Sequence, residues 1–308
     1  MLTISSQKSN SIQSLLKSLA MEKAVQVCRF NDQRVGVVEE NQVIDVTAVT
    51  ELLPVLRWPV PLGDAFIAGL RSLRPKIEEL SKTGERRDLR SVSLLSPIAN
   101  PSKVIAAPVN YTKHIDESRL DAGINFGTEV SAIDRYALFL KSTSSVVGPS
   151  EGIQIHHHDG RRTDHEVELA LVIGEKARHV PVEQALKYVA GYFIGLDITI
   201  RGTEDRSYRK SLDTFTVLGP WLVTADAVNN PESLDLSISV NGEIRQNANT
   251  RDLIWSVAKL VSFASSAYTL YPGDVILTGT PEGVGPIKPG DVLHAAIQGV
   301  GAMDVLVR

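Results

Sequence analysis

One cysteine, Cys28, stands in a chain of 308 residues. An internal disulfide and a thiolate metal cluster are therefore excluded, a reducing compartment is the default, and Cys28 itself reads as a small core residue. Long hydrophobic runs are missing too: none approaches the ~18–20 residues that span a bilayer, so the chain is not expected in a membrane. Positive charge is not in surplus. With 32 Lys and Arg against 36 Asp and Glu, the net charge is -4. A nucleic-acid partner would normally leave a basic excess on one face, so none is expected, and an anionic substrate would need a local positive site. Neither GxxxxGKS/T nor a GxGxxG opening a helix occurs, and the glycines of GTPEGVG at 279–285 fit neither spacing, so nucleotide binding lacks its phosphate cradle. GxSxG and HExxH are absent as well, which removes the commonest serine-hydrolase and zinc-protease readings.

What is present, 43% hydrophobic and 22% charged residues, is ordinary globular composition, enough for one large domain or a large one beside a small one. Residues 1–20 are Ser-rich, contain no acid, and place Ile12, Leu15, Leu16 and Leu19 on one helical face, a pattern that fits a transit peptide. The stretch has no arginine, however, and Met21 offers an alternative start, so an N-terminal extension and a cytoplasmic location are the expectation. From Ala24 to Val49, short β-prone runs alternate with polar turns and predict a small antiparallel meander. Charges of both signs surround Gly84 over 76–90, reading as a helix end or linker, and Pro97 and Pro101 leave that region. The boundary is placed there: an extension and small accessory domain over 1–96, a catalytic domain over 97–308.

Beyond it lie strand-like runs at 103–107, 137–141 and 166–173, and a helix from Pro181 that ends by Gly191. Leu253, Val257, Leu260 and Ala264 mark an amphipathic helix from about Asp252 to Ala267. PGDV occurs twice, at 272–275 and 289–292, as hairpin punctuation rather than a repeat. Few helices separate the strands, so an α+β, β-rich fold with antiparallel or mixed sheet is favoured over a doubly wound one.

Three features carry chemistry. His156 and His158 share a face in extended chain and could bind a transition metal, but a solvated loop before the next strand is the plainer reading. Asp164, Glu166 and Glu168 fall on one face of a strand that runs into LALVIG. Such like charges repel unless a cation lies between them or protons are retained. An EVE triplet alone suits an exposed strand face. Asp197 changes the balance, because it sits inside the apolar stretch YVAGYFIGLDITI, where an acid must be hydrogen-bonded, paired or metal-bound. All-oxygen ligation suits Mg²⁺, Mn²⁺ or Ca²⁺ better than zinc. Finally, His114 and Glu117 are neighbours on a helical turn, the arrangement of a general base oriented by a carboxylate, although HxxE by itself is more often a surface pair.

Together SPIANPSKVIAAPVNYTKHIDE, FLKSTSSVVGP, DHEVELALVIG, YVAGYFIGLDIT, KSLDTFTVLGPWLVTAD, VNGEIRQ and YPGDVILTGTPEGVGP, in that order from about Leu94 to Gly301, resemble the fumarylacetoacetate hydrolase family. The resemblance implies a mixed β-sandwich or roll enclosing Mg²⁺ or Mn²⁺, usually in a homodimer, with the N-terminal meander as accessory domain. It implies Glu166, Glu168 and Asp197 as metal ligands, His114 and Glu117 as the catalytic dyad, Lys210 as a lysine near the substrate, and Arg201 and Thr280 as substrate contacts. Arg201 could instead pair with Glu204, Asp205 or Asp213, Lys210 could lie at the surface, and Thr280 could serve its turn.

Two departures stand out: TIRGTEDRSYRK follows Asp197 where the family often reads ARDLQ, and SRLDAGINFGTEVSAIDRYAL occupies 118–138, the place of a lid that orders over substrate. The implied activity is an acylpyruvase of aromatic catabolism. It would act on an acylpyruvate- or fumarylpyruvate-like diketo acid, with His114 activating a water that cleaves the carbon-carbon bond and frees pyruvate or a related oxo-acid. The same scaffold supports oxo-acid decarboxylation and isomerisation, and a non-catalytic metal- or ligand-binding protein is the rival from another class.

Overall fold

The computed structural model describes residues 25–155 and 160–308; the segment 1–20, Met21 and His156–His158 lie outside the described residues. A twelve-stranded sheet forms the frame. Edge to edge it runs through Arg86–Asp88, Gln42–Asp45, Arg34–Glu39, Gln26–Phe30, Thr216–Thr224, Val189–Asp197, Val167–Ile173, Val275–Leu277, Val104–Ala106 and Phe139–Lys141, with Leu94–Leu95 and Val146–Val147 pairing off this path. The predicted meander is there, in antiparallel register. It joins the rest directly, because Gln26 pairs with Val223 and Val27 with Leu222, so one sheet crosses the position where the sequence suggests a boundary.

The central strand Val167–Ile173 is buried at every position, since both its faces are covered. Its odd residues Val167, Leu169, Leu171 and Ile173 face one core, shared with Leu236, Ile238, Leu293 and Val305 of a four-stranded antiparallel sheet ordered Glu243–Asn249, Asp235–Val240, Val292–Ile297 and Gly301–Leu306. Its even residues Ala170 and Val172 face another, closed by Ile67, Leu70, Leu73 and Ile77. The expected mixed sandwich is thus the observed one. A small sheet of Thr199–Ile200, Thr163–His165 and Gly285–Pro286 sits at one end of these strands.

Three helices differ from the sequence expectation. Ile67 to Ile77 belong to a helix over Ala65–Ser81, of which the sequence reading caught only the charged end; Pro75 and a solvated outer face obscured its apolar stripe. Asp64 caps it by accepting from Phe66 N at 2.9 Å and Ile67 N at 3.0 Å. After Pro181 the helix lasts only over Val182–Ala185, and the β-prone residues that follow a short turn become the strand Val189–Asp197. The helix expected from Asp252 spans Val257–Ala267 instead, because Ser256 provides the cap, its Oγ accepting from Lys259 N at 3.3 Å. Both PGDV copies make turns, Asp274 accepting from Tyr271 N at 2.7 Å and Asp291 from Lys288 N at 2.9 Å, but neither is a hairpin: the first leads from the helix Val257–Ala267 into Val275–Leu277, and the second joins Gly285–Pro286 to Val292–Ile297, which lie in different sheets.

Cys28 lies fully buried beside Phe30, Val38 and Val43, and burial pushes its thiol up to about 12. Near neutral pH almost no thiolate forms, and the thiolate is the reactive species. Ellman's reagent should therefore leave the native protein unlabelled over an hour-scale incubation and titrate its one free cysteine in guanidinium. Rapid labelling of the native form would contradict this packing.

Candidate active site

Antiparallel pairing of Val167–Ile173 with Val189–Asp197 sets Val167 opposite Leu196 and Glu168 opposite Gly195, and Asp197 N donates to Glu166 O at 2.9 Å. The carboxylates of Glu166, Glu168 and Asp197 consequently meet at the ends of two neighbouring strands. One oxygen of each lies within 4.8 Å of the other two, and all three side chains are buried. Like charges this close and this dry must be compensated.

From the sequence, a dication is the expected compensation. The structure gives part of it to the protein. Lys210 Nζ donates to Glu166 Oε2 at 2.7 Å, Asp197 Oδ2 at 2.8 Å and Thr199 Oγ1 at 2.6 Å. Lys141 Nζ donates to Asp197 Oδ1 and, at 3.0 Å, to Phe215 O. Arg201 Nη2 reaches Glu166 Oε1 at 3.2 Å, while its Nε holds Asp164 Oδ2 at 2.8 Å. Burial opposes ionisation of Glu166, yet Lys210 and Arg201 hold it well below the usual carboxylate range.

Glu168 differs. It accepts Gly279 N at 2.6 Å, and no ion pair joins it to a cation among the described residues. Burial first, then the charges of Asp197 and Glu166, push it well above the usual range. A buried oxygen-only donor set with one carboxylate short of positive charge fits a hard divalent cation such as Mg²⁺ or Mn²⁺.

Asp164 shares the sequence parity of the trio but stays outside it. It ion-pairs with Arg162 at 2.6 Å as well as Arg201, because its strand Thr163–His165 has crossed into the small sheet. Arg201 accordingly pairs with Asp164 and Glu166 rather than with Glu204, Asp205 or Asp213, and Lys210 is buried rather than at the surface.

His114 sits on the helix Thr112–Leu120, its Nδ1 2.9 Å from Glu117 Oε2. Glu117 is fixed from behind, its Oε1 accepting Gly283 N at 2.9 Å. Gly283 has φ of 92°, and a Cβ there would stand 1.9 Å from Arg245 O, so only glycine brings that amide so close. His114, Glu166, Glu168, Asp197, Arg201, Lys210 and Thr280 all line one cavity of about 200 Å³, small enough to suit a compact acid. Residues of the 118–138 segment, Ile124, Phe126, Val130 and Tyr136, line it too. The Thr280 hydroxyl is already engaged, donating to Val167 O at 3.0 Å and accepting from Gln246 Nε2 at 2.8 Å.

Lys141, Thr199 and Gln246 escaped the sequence reading. Gln246 clamps the strand bearing Glu168, since its Oε1 accepts Val167 N at 2.9 Å. For Lys141 a signal did exist: it closes a β-prone run on the same parity as Phe139. Deleting one partner of a buried ion pair leaves an uncompensated charge, worth roughly 3–5 kcal/mol. Lys141→Met should accordingly lower the unfolding free energy of metal-free protein, read from urea titration, by up to about that order, since Asp197 keeps only Lys210 as ion-pair partner among the described residues, and adding Asp197→Asn should recover much of it. An unchanged midpoint in the single variant would show that Lys141 contributes little.

The family model described as Fumarylacetoacetate (FAA) hydrolase C-terminal matches residues 103–308. Maleylpyruvate hydrolase of Aquipseudomonas alcaligenes is 53% identical over 286 residues, covering 92% of this chain and 99% of that one. The mitochondrial oxaloacetate tautomerase of Xenopus laevis is 34% identical over 275 residues, covering 85% and 81%. A crystal structure of maleylpyruvate hydrolase from Sphingobium sp. SYK-6, in complex with manganese(II) ion and pyruvate, superposes with a TM-score of 0.78 at 39% identity, covering 92% of this chain and 98% of that one. The buried carboxylates on paired strands and the match over the whole C-terminal two-thirds place this chain in the fumarylacetoacetate hydrolase family.

Proposed function

We propose that the protein is a divalent-metal-dependent hydrolase that cleaves the carbon-carbon bond of an acylpyruvate-type diketo acid, maleylpyruvate or fumarylpyruvate being the model compounds, and releases pyruvate. The observation that carries this reading is the single cavity onto which both the carboxylate trio and the Glu117-anchored His114 open. Glu166, Glu168 and Asp197 would hold Mg²⁺ or Mn²⁺, which when bound supplies Lewis acidity toward a 2-oxo-acid.

The remaining work falls to side chains. Glu117 fixes the His114 ring through Nδ1, leaving Nε2 to take a proton from water. The water oxygen bonds to the acyl carbonyl carbon, and the bond from that carbon to the methylene breaks. Its electron pair stays with the pyruvate half, which regains the proton that His114 took, so the products are a carboxylic acid and pyruvate. Lys210 and Arg201, close to the trio, offset the negative charge of the bound anion and of the departing enolate. Thr280 contributes to the cavity wall. Hydrolysis is favoured over decarboxylation or isomerisation because the latter two need no water to be activated, whereas the His114–Glu117 pair is built to do so.

In the same reading residues 97–308 carry the chemistry, 1–96 form the accessory part, and the protein works in the cytoplasm on a small oxo-acid as a homodimer. Light scattering should give about twice the 33.5 kDa chain mass; a monomer would remove the dimer from the account.

Purified protein should release pyruvate from maleylpyruvate or an acylpyruvate, lose that activity in EDTA and regain it with Mg²⁺ or Mn²⁺. His114→Ala should reduce kcat by about 10²–10⁴-fold, the usual range for a general base. Pyruvate release from oxaloacetate that survives in His114→Ala, with no cleavage of diketo acids by the wild type, would replace hydrolysis by decarboxylation.

A further inference from the structure

Most charges lining the cavity cancel locally. The trio is met by Lys210, Lys141 and Arg201, and Glu204 is held by Arg161 at 2.9 and 2.7 Å. Arg206 and Arg209, both half-buried in its wall, are different: no carboxylate lies within ion-pair distance of either among the described residues. Arg209 spends only its Nε, donating to Glu204 O at 2.8 Å, and keeps both terminal nitrogens. Arg206 lies over the Tyr136 ring, 4.2 Å from its centroid, so its guanidinium is positioned by stacking rather than by an anion. Burial first, and then the neighbouring charges of Arg201 and Arg206, depress Arg209 from its ordinary value, partly offset by Glu166 and Glu204. The 118–138 segment adds an apolar flank, with Ile124, Phe126 and Val130 beside the stacked Tyr136.

An oxo-acid whose head lies at the trio and whose acyl tail runs along this flank therefore has two unspent arginines left to meet. We infer that Arg209, with Arg206 beside it, receives a second carboxylate at the acyl end of the substrate. The enzyme then selects dianionic acylpyruvates over those with an uncharged acyl tail. A guanidinium suits this task because its fork of N–H donors matches a carboxylate and stays charged even when partly buried. The departure TIRGTEDRSYRK, which supplies both arginines, thereby becomes the specificity element of the site. This inference rests on the reading above that an oxo-acid head binds at the trio.

Calorimetric titration of the full chain in Mg²⁺ with 2-oxoadipate and with 2-oxohexanoate, which differ in the distal carboxylate, tests it without turnover. The wild type should bind 2-oxoadipate roughly tenfold or more tightly, the factor a charge-assisted hydrogen bond supplies. Arg209→Gln should collapse that preference to within about twofold, and Arg209→Lys, which keeps the charge, should recover part of it. Equal affinity of the wild type for the two acids, including detectable binding of neither, overturns the inference. So does an Arg209→Gln protein that keeps the preference or weakens both ligands by the same factor. Failure to cleave any diketo acid would instead strike the hydrolase reading, leaving this binding comparison to stand or fall separately.

Discussion

Two adjacent antiparallel strands end in acids, and the rest of the site follows from how their charge is balanced in a dry interior. Register sets Glu168 opposite Gly195, two residues before Asp197, and the hydrogen bond from Asp197 N to Glu166 O brings Asp197 across from the third carboxylate. Isolated ions there would neutralise by taking up protons. Lys210, Lys141 and Arg201 each reach Glu166 or Asp197, and Lys210 and Arg201 hold Glu166 well below the usual carboxylate range, while Glu168 is left with an amide as its partner. That asymmetry is what gives a divalent cation a place: a strand end already negative, already desolvated, and one positive partner short.

The fold holds this arrangement rigid from both sides. Below the trio, Val167–Ile173 separates two apolar cores, one against the four-stranded sheet and one under the helix Ala65–Ser81, so its strand has no room to shift register. Around the trio, polar clamps replace apolar packing. Gln246 takes Val167 N and steadies Thr280, and Gly283 N donates to Glu117, tying the helix of His114 and Glu117 to the loop after Val275–Leu277. The three carboxylates and His114 thus reach one cavity from separate elements that share a scaffold, the preorganisation that chemistry on a small anion requires. The wall formed by 118–138 and by the loop after Asp197 is largely half-buried or exposed, and that wall is where the substrate's acyl end would lie.

Much of this was legible in the sequence. Strand-like runs marked the strands at 103–107, 137–141 and 166–173, and an acid inside YVAGYFIGLDITI pointed to the buried centre because a lone carboxylate cannot stay charged there. His114 and Glu117 were legible as a pair by helical spacing. What stayed hidden depends on contacts between distant segments. Asp164 has the parity of the trio, yet the chain changes sheet at Glu166 and carries Asp164 to Arg162 and Arg201. Lys141 is 56 residues from Asp197 in sequence, and the parity of the run it closes does not name the acid that its ammonium meets. The helix Ala65–Ser81 was obscured by Pro75 and its charged outer face, and the helix after Pro181 was cut short by a β-prone run that paired instead.

The account turns on whether Glu168 completes a dication site with Glu166 and Asp197. Electron paramagnetic resonance of Mn²⁺ titrated into metal-free protein counts bound ions directly and independently of any reaction. One Mn²⁺ per chain in the wild type, with binding abolished or greatly weakened in Glu168→Gln, is the predicted result. Equal Mn²⁺ uptake by both proteins, or none by the wild type, would contradict it.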